Sequence, residues 1–209
     1  MEIGGFLPFS LCDYPGKVAA VVFTQGCNFR CPFCHNGELI SLKKETPSEY
    51  SAELILSRLQ SRCHVLDGVV VTGGEPTIHH DLSLFLEKIK EIGLSVKLDT
   101  NGSCPDILEE VIRLNLVDYI AMDIKSPWDK YDLLTGIQAP LENIQRSLNI
   151  ITKSSIPSEF RTTVIPKWLG PEDLAVIQGY IPTGVLYRKQ KFIPAHAFSA
   201  ELRDNHHCS

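Results

Sequence analysis

Apolar positions along the chain fall into two rhythms that alternate about six times. Short segments at 17–23, 68–72, 94–99, 118–124, 158–165 and 184–193, several of them nearly unbroken apolar runs, predict β-strands. Runs of that kind suit parallel strands covered on both faces. Between them, apolar residues return at helical spacing over 81–92, 105–116 and 141–152. Ahead of the first of these, Thr46-Pro47-Ser48-Glu49 offers a cap, a proline suited to the first helical position and a carboxylate that can reach back. Leu54, Ile55, Arg58 and Leu59 then continue at helical spacing, with the Arg58 stem lying along the face. Pro171-Glu172-Asp173 opens a last helix that Gly179 would end. Strands alternating with helices across short connections imply a parallel sheet. About six such units cannot close an eight-stranded barrel. The expected fold is therefore α/β, a partial, open TIM-type barrel of parallel strands, with a three-layer sheet as the alternative. No linker or repeat divides the chain, so residues 1–198 read as one domain and 199–209 as a disordered tail.

Charge narrows the class. Twenty basic and 25 acidic side chains give a formal charge of −5 in 209 residues, which argues against broad nucleic-acid binding. The longest apolar run, at 18–23, is too short to cross a bilayer, and the first residues lack the plan of a secretory signal. A cytoplasmic protein is expected.

Seven cysteines is an odd number for a disulfide framework. Cys27, Cys31 and Cys34 fall within eight residues directly after the first predicted strand, whereas Cys12, Cys63, Cys104 and Cys208 are scattered. Three thiolates on one short loop can wrap a soft metal centre. Zinc would need a fourth ligand, with His35 the nearest candidate. An iron–sulfur cube held by three cysteines would keep one iron open to another ligand. Spacing alone leaves both readings standing.

The remaining chemistry-bearing residues gather at the same end of the predicted strands. Gly73-Gly74-Glu75-Pro76 follows the second strand; the glycines permit close backbone approach and Glu75 can accept hydrogen bonds from an ammonium group, although a plain turn would read the same way. Asp99-Thr100-Asn101-Gly102 ends the third, where Asn-Gly is also an ordinary turn. Asp123-Ile124-Lys125 ends the fourth, with Asp123 and Lys125 on one face, as a simple ion pair would also have it. Arg161 lies in the fifth and needs a partner if buried, and His196 follows the sixth. Each signal alone is weak, but all sit where a parallel barrel carries its active site. A carboxylate, a lysine, an arginine and close-approach glycines suit an amino-acid zwitterion.

These residues resemble the radical S-adenosylmethionine superfamily. Within it the chain is most similar to the activating enzymes of glycyl-radical proteins, the anaerobic ribonucleoside-triphosphate reductase activating proteins above all. The likeness runs from about Ser10 to Ala197. It is carried by Asp13-Tyr14-Pro15-Gly16, by Phe23 through Cys27 to Cys34-His35-Asn36, and by Gly73-Gly74-Glu75-Pro76, Leu98 to Gly102 and Ala121 to Lys125. The resemblance implies that Cys27, Cys31 and Cys34 hold a 4Fe–4S cluster and that S-adenosylmethionine chelates its open iron. The backbone near Phe33 and His35 would face the adenine. Gly73, Gly74 and Glu75 would bind around the methionyl amine, and Asn101, Asp123, Ile124, Lys125, Arg161 and His196 would line the rest. In relatives Asp99, Thr100 and Asp123 also hold a monovalent cation. Asp13 would lie near the incoming substrate loop and, with Lys125, belong to the catalytic set. The implied reaction is one-electron cleavage of S-adenosylmethionine to a 5′-deoxyadenosyl radical, which takes hydrogen from a glycine of a partner. The partner would be the anaerobic ribonucleotide reductase and the electron donor a ferredoxin or flavodoxin. A pyruvate formate-lyase or another target, or a non-catalytic zinc module, are the competing readings.

Overall fold

A computed structural model describes residues 1–42 and 49–203. Seven strands form one sheet in sequence order: β1 (Ile3–Ser10), β2 (Ala19–Thr24), β3 (Gly68–Gly73), β4 (Ser95–Thr100), β5 (Tyr119–Asp123), β6 (Ser158–Val164) and β7 (Leu186–Lys191). From β2 to β7 every neighbouring pair is parallel, and β1 does not meet β7, so the barrel stays open. The six expected strands are β2 to β7. The seventh, β1, is an addition: it pairs antiparallel with β2. Two adjacent glycines and Pro8 break its apolar pattern, and proline is tolerated there because the strand lies at the sheet edge.

Among the described residues seven α-helices accompany the sheet: α1 (Ala52–Arg62), α2 (Leu82–Glu91), α3 (Pro105–Arg113), α4 (Tyr131–Thr135), α5 (Leu141–Lys153), α6 (Pro171–Tyr180) and α7 (Ala200–Arg203). Helix α1 is capped by Ser51, whose hydroxyl accepts from the Leu54 N–H at 3.1 Å. The cap expected at Thr46 to Ser48 lies outside the described residues. The Arg58 guanidinium rests over the Phe6 and Tyr50 rings at 5.9 and 5.7 Å, so this side chain does reach along the apolar face. Gly179 does not end α6; it lies inside the helix, and the chain turns extended at Ile181. Within the expected tail, α7 is helical and buries Leu202.

Strand parity explains how this sheet carries both a core and a site. One set of alternate positions, Ala20, Val22, Val69, Val71, Val96, Leu98, Ile120, Met122 and Phe160, joins the helices in a single apolar cluster. The opposite set faces the barrel interior. At its floor it is apolar, with Tyr14, Ala19, Val21 and Val70 packed beside Phe23 and Tyr119. Toward the C-terminal tips it turns charged, through Lys97, Asp99, Asp123 and Arg161. The core is thus built on one face and the chemistry on the other.

Candidate active site

The loops after β2 and β3 are stitched together by backbone. Gly74 N–H donates to the Thr24 carbonyl at 2.9 Å and Glu75 N–H to the Gly26 carbonyl at 2.8 Å. A Cβ on Gly74 would sit 1.9 Å from the Gly26 carbonyl oxygen, so only glycine allows these loops to approach. Gly74→Ala should therefore part them, weakening ligand binding at this end of the barrel by at least about tenfold and costing several kcal/mol of stability. Thermal melting and titration of the purified variant check this; wild-type behaviour in both would refute the stitch.

The cysteine loop is held from below by α4, an element too short to show a period in the sequence. Arg30 N–H donates to the Thr135 carbonyl at 2.8 Å, and Gly136, at φ 68°, lies against the Arg30 backbone. Phe29, Cys31 and Phe33 are buried, and Cys27 and Cys34 are half-buried. Burial pushes the Cys27 thiol up to about 11 and Cys31 up to about 12, and raises Cys34 as well, with the Lys125 ammonium opposing it in each case. Buried thiols of this kind stay protonated until a metal displaces the proton.

Glu75 is fully buried, and its carboxylate is already engaged. One oxygen accepts from the Thr77 N–H at 3.1 Å and from the hydroxyls of Thr77 and Thr100 at 2.5 and 2.7 Å; the other accepts from the Asn101 N–H at 2.6 Å. Burial raises its carboxyl above the usual range, against these donors. In this structure Glu75 ties the tip of β3 to the tip of β4. Asn101 continues the chain of contacts, donating to Asn28 on the cysteine loop at 3.0 Å, and Asn28 donates to Ser103 at 2.8 Å.

Across β4, β5 and β6 runs a ladder of opposite charges. Arg161 bridges two carboxylates, donating through Nη1 to Asp99 at 3.1 Å and through Nε to Asp123 at 2.9 Å. Lys125 Nζ donates to the other Asp123 oxygen at 2.8 Å, and Lys97 to the other oxygen of Asp99. Burial opposes ionisation of Asp123, but Arg161 and Lys125 hold its carboxyl well below the usual range. The same contacts keep Lys125 and Arg161 protonated despite their own burial. Lys125 also lies 6.0 Å from the Phe33 ring centre.

These groups enclose a cavity of about 300 Å³. Its walls include the three cysteines with Phe33 and His35; Gly73, Gly74 and Glu75; Asp99, Thr100 and Asn101; Asp123, Lys125 and Arg161; and Asp13 at the β1–β2 connection. Two expected residues are elsewhere. Ile124 is fully buried in the apolar core, as its parity between Asp123 and Lys125 requires. His196 lines a neighbouring recess and meets His35 edge to face at 6.1 Å. Several lining residues were not anticipated: Phe23 and Thr72 near the tips of β2 and β3, Thr163 on β6 and Gln190 on β7. Thr163 shares a face with Arg161, so the period of two could have found it.

His35 cannot serve as a zinc ligand through Nε2 as placed, because that atom accepts the Ile193 N–H at 3.1 Å. Burial, then the nearby His196 and Lys125, lowers its basicity, in keeping with a neutral acceptor. Among the described residues, no three His, Cys, Asp or Glu side chains are gathered as a single ion would need.

The radical SAM superfamily model matches residues 21–172, which takes in every strand tip from β2 to β6. The chain belongs to this superfamily, among the glycyl-radical enzyme activating enzymes. A Methanocaldococcus jannaschii protein named a candidate member of that group is 34% identical over 206 residues, covering 96% of this chain and 84% of the relative. The pyruvate formate-lyase-activating enzyme of Listeria monocytogenes is 32% identical over 197 residues, covering 88% and 77%. In fold, the chain superposes on Streptococcus suis SuiB bound to its precursor peptide with a TM-score of 0.66 at 14% identity, over 84% of this chain and 39% of SuiB. Escherichia coli coproporphyrinogen III oxidase, described as a radical SAM enzyme, gives 0.62 at 16% identity over 92% and 48%. The chain thus spans less than half the length of those two solved structures, which share its fold. A radical SAM activating enzyme is an oxidoreductase, so the reading as a non-catalytic zinc module falls. The superfamily's cofactors are S-adenosylmethionine and a 4Fe–4S cluster, and no helix among the described residues is long and apolar enough to cross a membrane.

Proposed function

We propose that this chain cleaves S-adenosylmethionine reductively and generates a glycyl radical on an anaerobic ribonucleoside-triphosphate reductase. The observation that carries the reading is the one cavity in which three cysteine thiols, one buried and two half-buried, face the Gly-Gly-Glu turn and the cation-rich tips of β4 to β6. Three soft donors without a fourth fit a cluster with an open iron better than a saturated ion. Cys27, Cys31 and Cys34 would hold it. When bound, the cluster and S-adenosylmethionine together supply the one-electron chemistry and the carbon-centred radical that takes hydrogen from glycine.

The chain's own residues bind, aim and exclude water. Gly73 and Gly74 let a ligand approach backbone, Lys125 and Arg161 present positive charge suited to a carboxylate, and the backbone at Phe33 and His35 offers a flat-sided wall for adenine. Phe23, Phe29 and Phe33 keep the reacting end apolar. Asp13 and Gln190 come from opposite ends of the open sheet and both line the cavity, which supports entry of a partner's loop from that side. Glycine suits such a loop because no side chain obstructs it. A ferredoxin- or flavodoxin-type protein would deliver the electron. The Listeria relative supports a second reading, with pyruvate formate-lyase as the target.

Anaerobic mixing of reconstituted protein, reductant and S-adenosylmethionine with each candidate partner decides between them. Electron paramagnetic resonance should show a glycyl doublet on the reductase. A doublet on the lyase alone would move the target, and 5′-deoxyadenosine without a doublet on either would overturn both.

A further inference from the structure

Lys97 has no explanation in the packing of the fold. Its side chain is 2% exposed, on the interior face of β4, where its register neighbours are Val70 and Tyr119. An aliphatic residue would fill that floor without the cost of burying an ammonium group. What Lys97 does make is an ion pair with Asp99. The consequence reaches the cation expected at Asp99, Thr100 and Asp123. All four carboxylate oxygens are bonded to basic groups: Lys97 and Arg161 take those of Asp99, Arg161 and Lys125 those of Asp123. The Thr100 hydroxyl donates to Glu75 and accepts from the Gly102 N–H at 3.1 Å. Three fixed positive charges face two negative ones, which leaves one positive charge in surplus. The donor set does not fit an added monovalent cation, because every one of these carboxylate oxygens already accepts from a basic group and the surplus positive charge repels a further cation.

We propose that Lys97 is a positioning residue that takes the place of an alkali-metal ion, holding Asp99 as the acceptor for Arg161 so that ligand binding needs no added cation. The inference rests on the reading of the cavity as an S-adenosylmethionine site. It predicts that wild-type protein binds S-adenosylmethionine equally, within about twofold, in potassium chloride, sodium chloride or tetramethylammonium chloride at equal ionic strength. In Lys97→Met, which keeps the length and loses the charge, affinity should fall about tenfold or more in tetramethylammonium and recover in potassium or sodium. The ligand-free variant should also melt about 2–4 °C higher in potassium than in tetramethylammonium, while the wild type shows no such difference. A purely structural lysine would give a loss that no salt repairs, and that result would overturn the proposal. So would a wild-type enzyme whose affinity collapses without potassium or sodium, a test that stands even if the variant fails to fold. If the wild type binds no S-adenosylmethionine in any salt, the functional reading fails, and the melting of the ligand-free proteins still decides the role of Lys97.

Discussion

Replacing Cys31 with alanine should abolish iron–sulfur absorbance on anaerobic reconstitution and reduce S-adenosylmethionine cleavage to the level of the metal-free protein. Cys31 is the most deeply buried of the three loop cysteines and lies on the cavity wall. Two thiolates cannot hold a cube that already leaves one iron open, so the effect is on assembly rather than on rate. The fold should survive, because only one sulfur is lost and the loop remains anchored through Arg30 to Thr135 and through Cys27 N–H to the Ile40 carbonyl at 3.0 Å. Cys63, at the end of α1 and away from the cavity, provides the control: its alanine variant should reconstitute as the wild type does. Iron and sulfide analysis with product chromatography reads both. Appreciable 5′-deoxyadenosine from Cys31→Ala would remove the loop from the cluster.

The close spacing of those cysteines made them legible in the sequence, since local spacing survives without knowledge of the fold. The strand tips were legible for a related reason. Once six strands run parallel, whatever follows each of them meets at one end, and Gly74, Asp99, Lys125 and Arg161 do meet there. Long-range relations were not legible. Nothing local shows that Glu75 is consumed by Thr100 and Asn101, or that α4 supports the cysteine loop through Arg30 and Thr135, far apart in the chain. The Lys97–Asp99 pair is local, two residues apart on β4, and the period of two that placed Asp123 beside Lys125 would have shown it. Strand β1 was hidden because its glycines and proline erase the alternation that pairing with β2 supplies in the fold. Ile124 shows a readable error: membership in the Asp-Ile-Lys run suggested the site, but period-two parity assigns it to the core. His196 shows the opposite limit, since closeness to a strand end placed it near the rim but not which of two adjacent recesses it would face.

The charge ladder gives the other large effect. Arg161→Met should lower stability by about 3–5 kcal/mol, the usual cost of removing one partner from a buried ionic group. For a chain of this size that is a melting shift of roughly 6–20 °C. Arg161 is the only residue of the ladder that spans two carboxylates on two strands, so its loss strips one contact from Asp99 and one from Asp123 at once. Coupling follows from that geometry: the Arg161→Met and Asp123→Asn pair should cost less than the sum of the single changes, because the second removes the charge the first leaves unpaired. The pH dependence has a definite sign. Asp123 is held below the usual carboxylate range in the folded protein, so its contribution is complete above the unfolded value of about 3.9 and is lost as pH falls below it. Wild-type protein should therefore lose melting temperature steeply under acid, and Arg161→Met, having less of this contribution to lose, should fall more gently from its lower starting point. Calorimetry from neutral pH to about pH 3 measures both slopes. Parallel acid slopes, or a variant as stable as the wild type, would show that the ladder contributes no more than an exposed ion pair, and the charged floor of the cavity would then need another reason to exist.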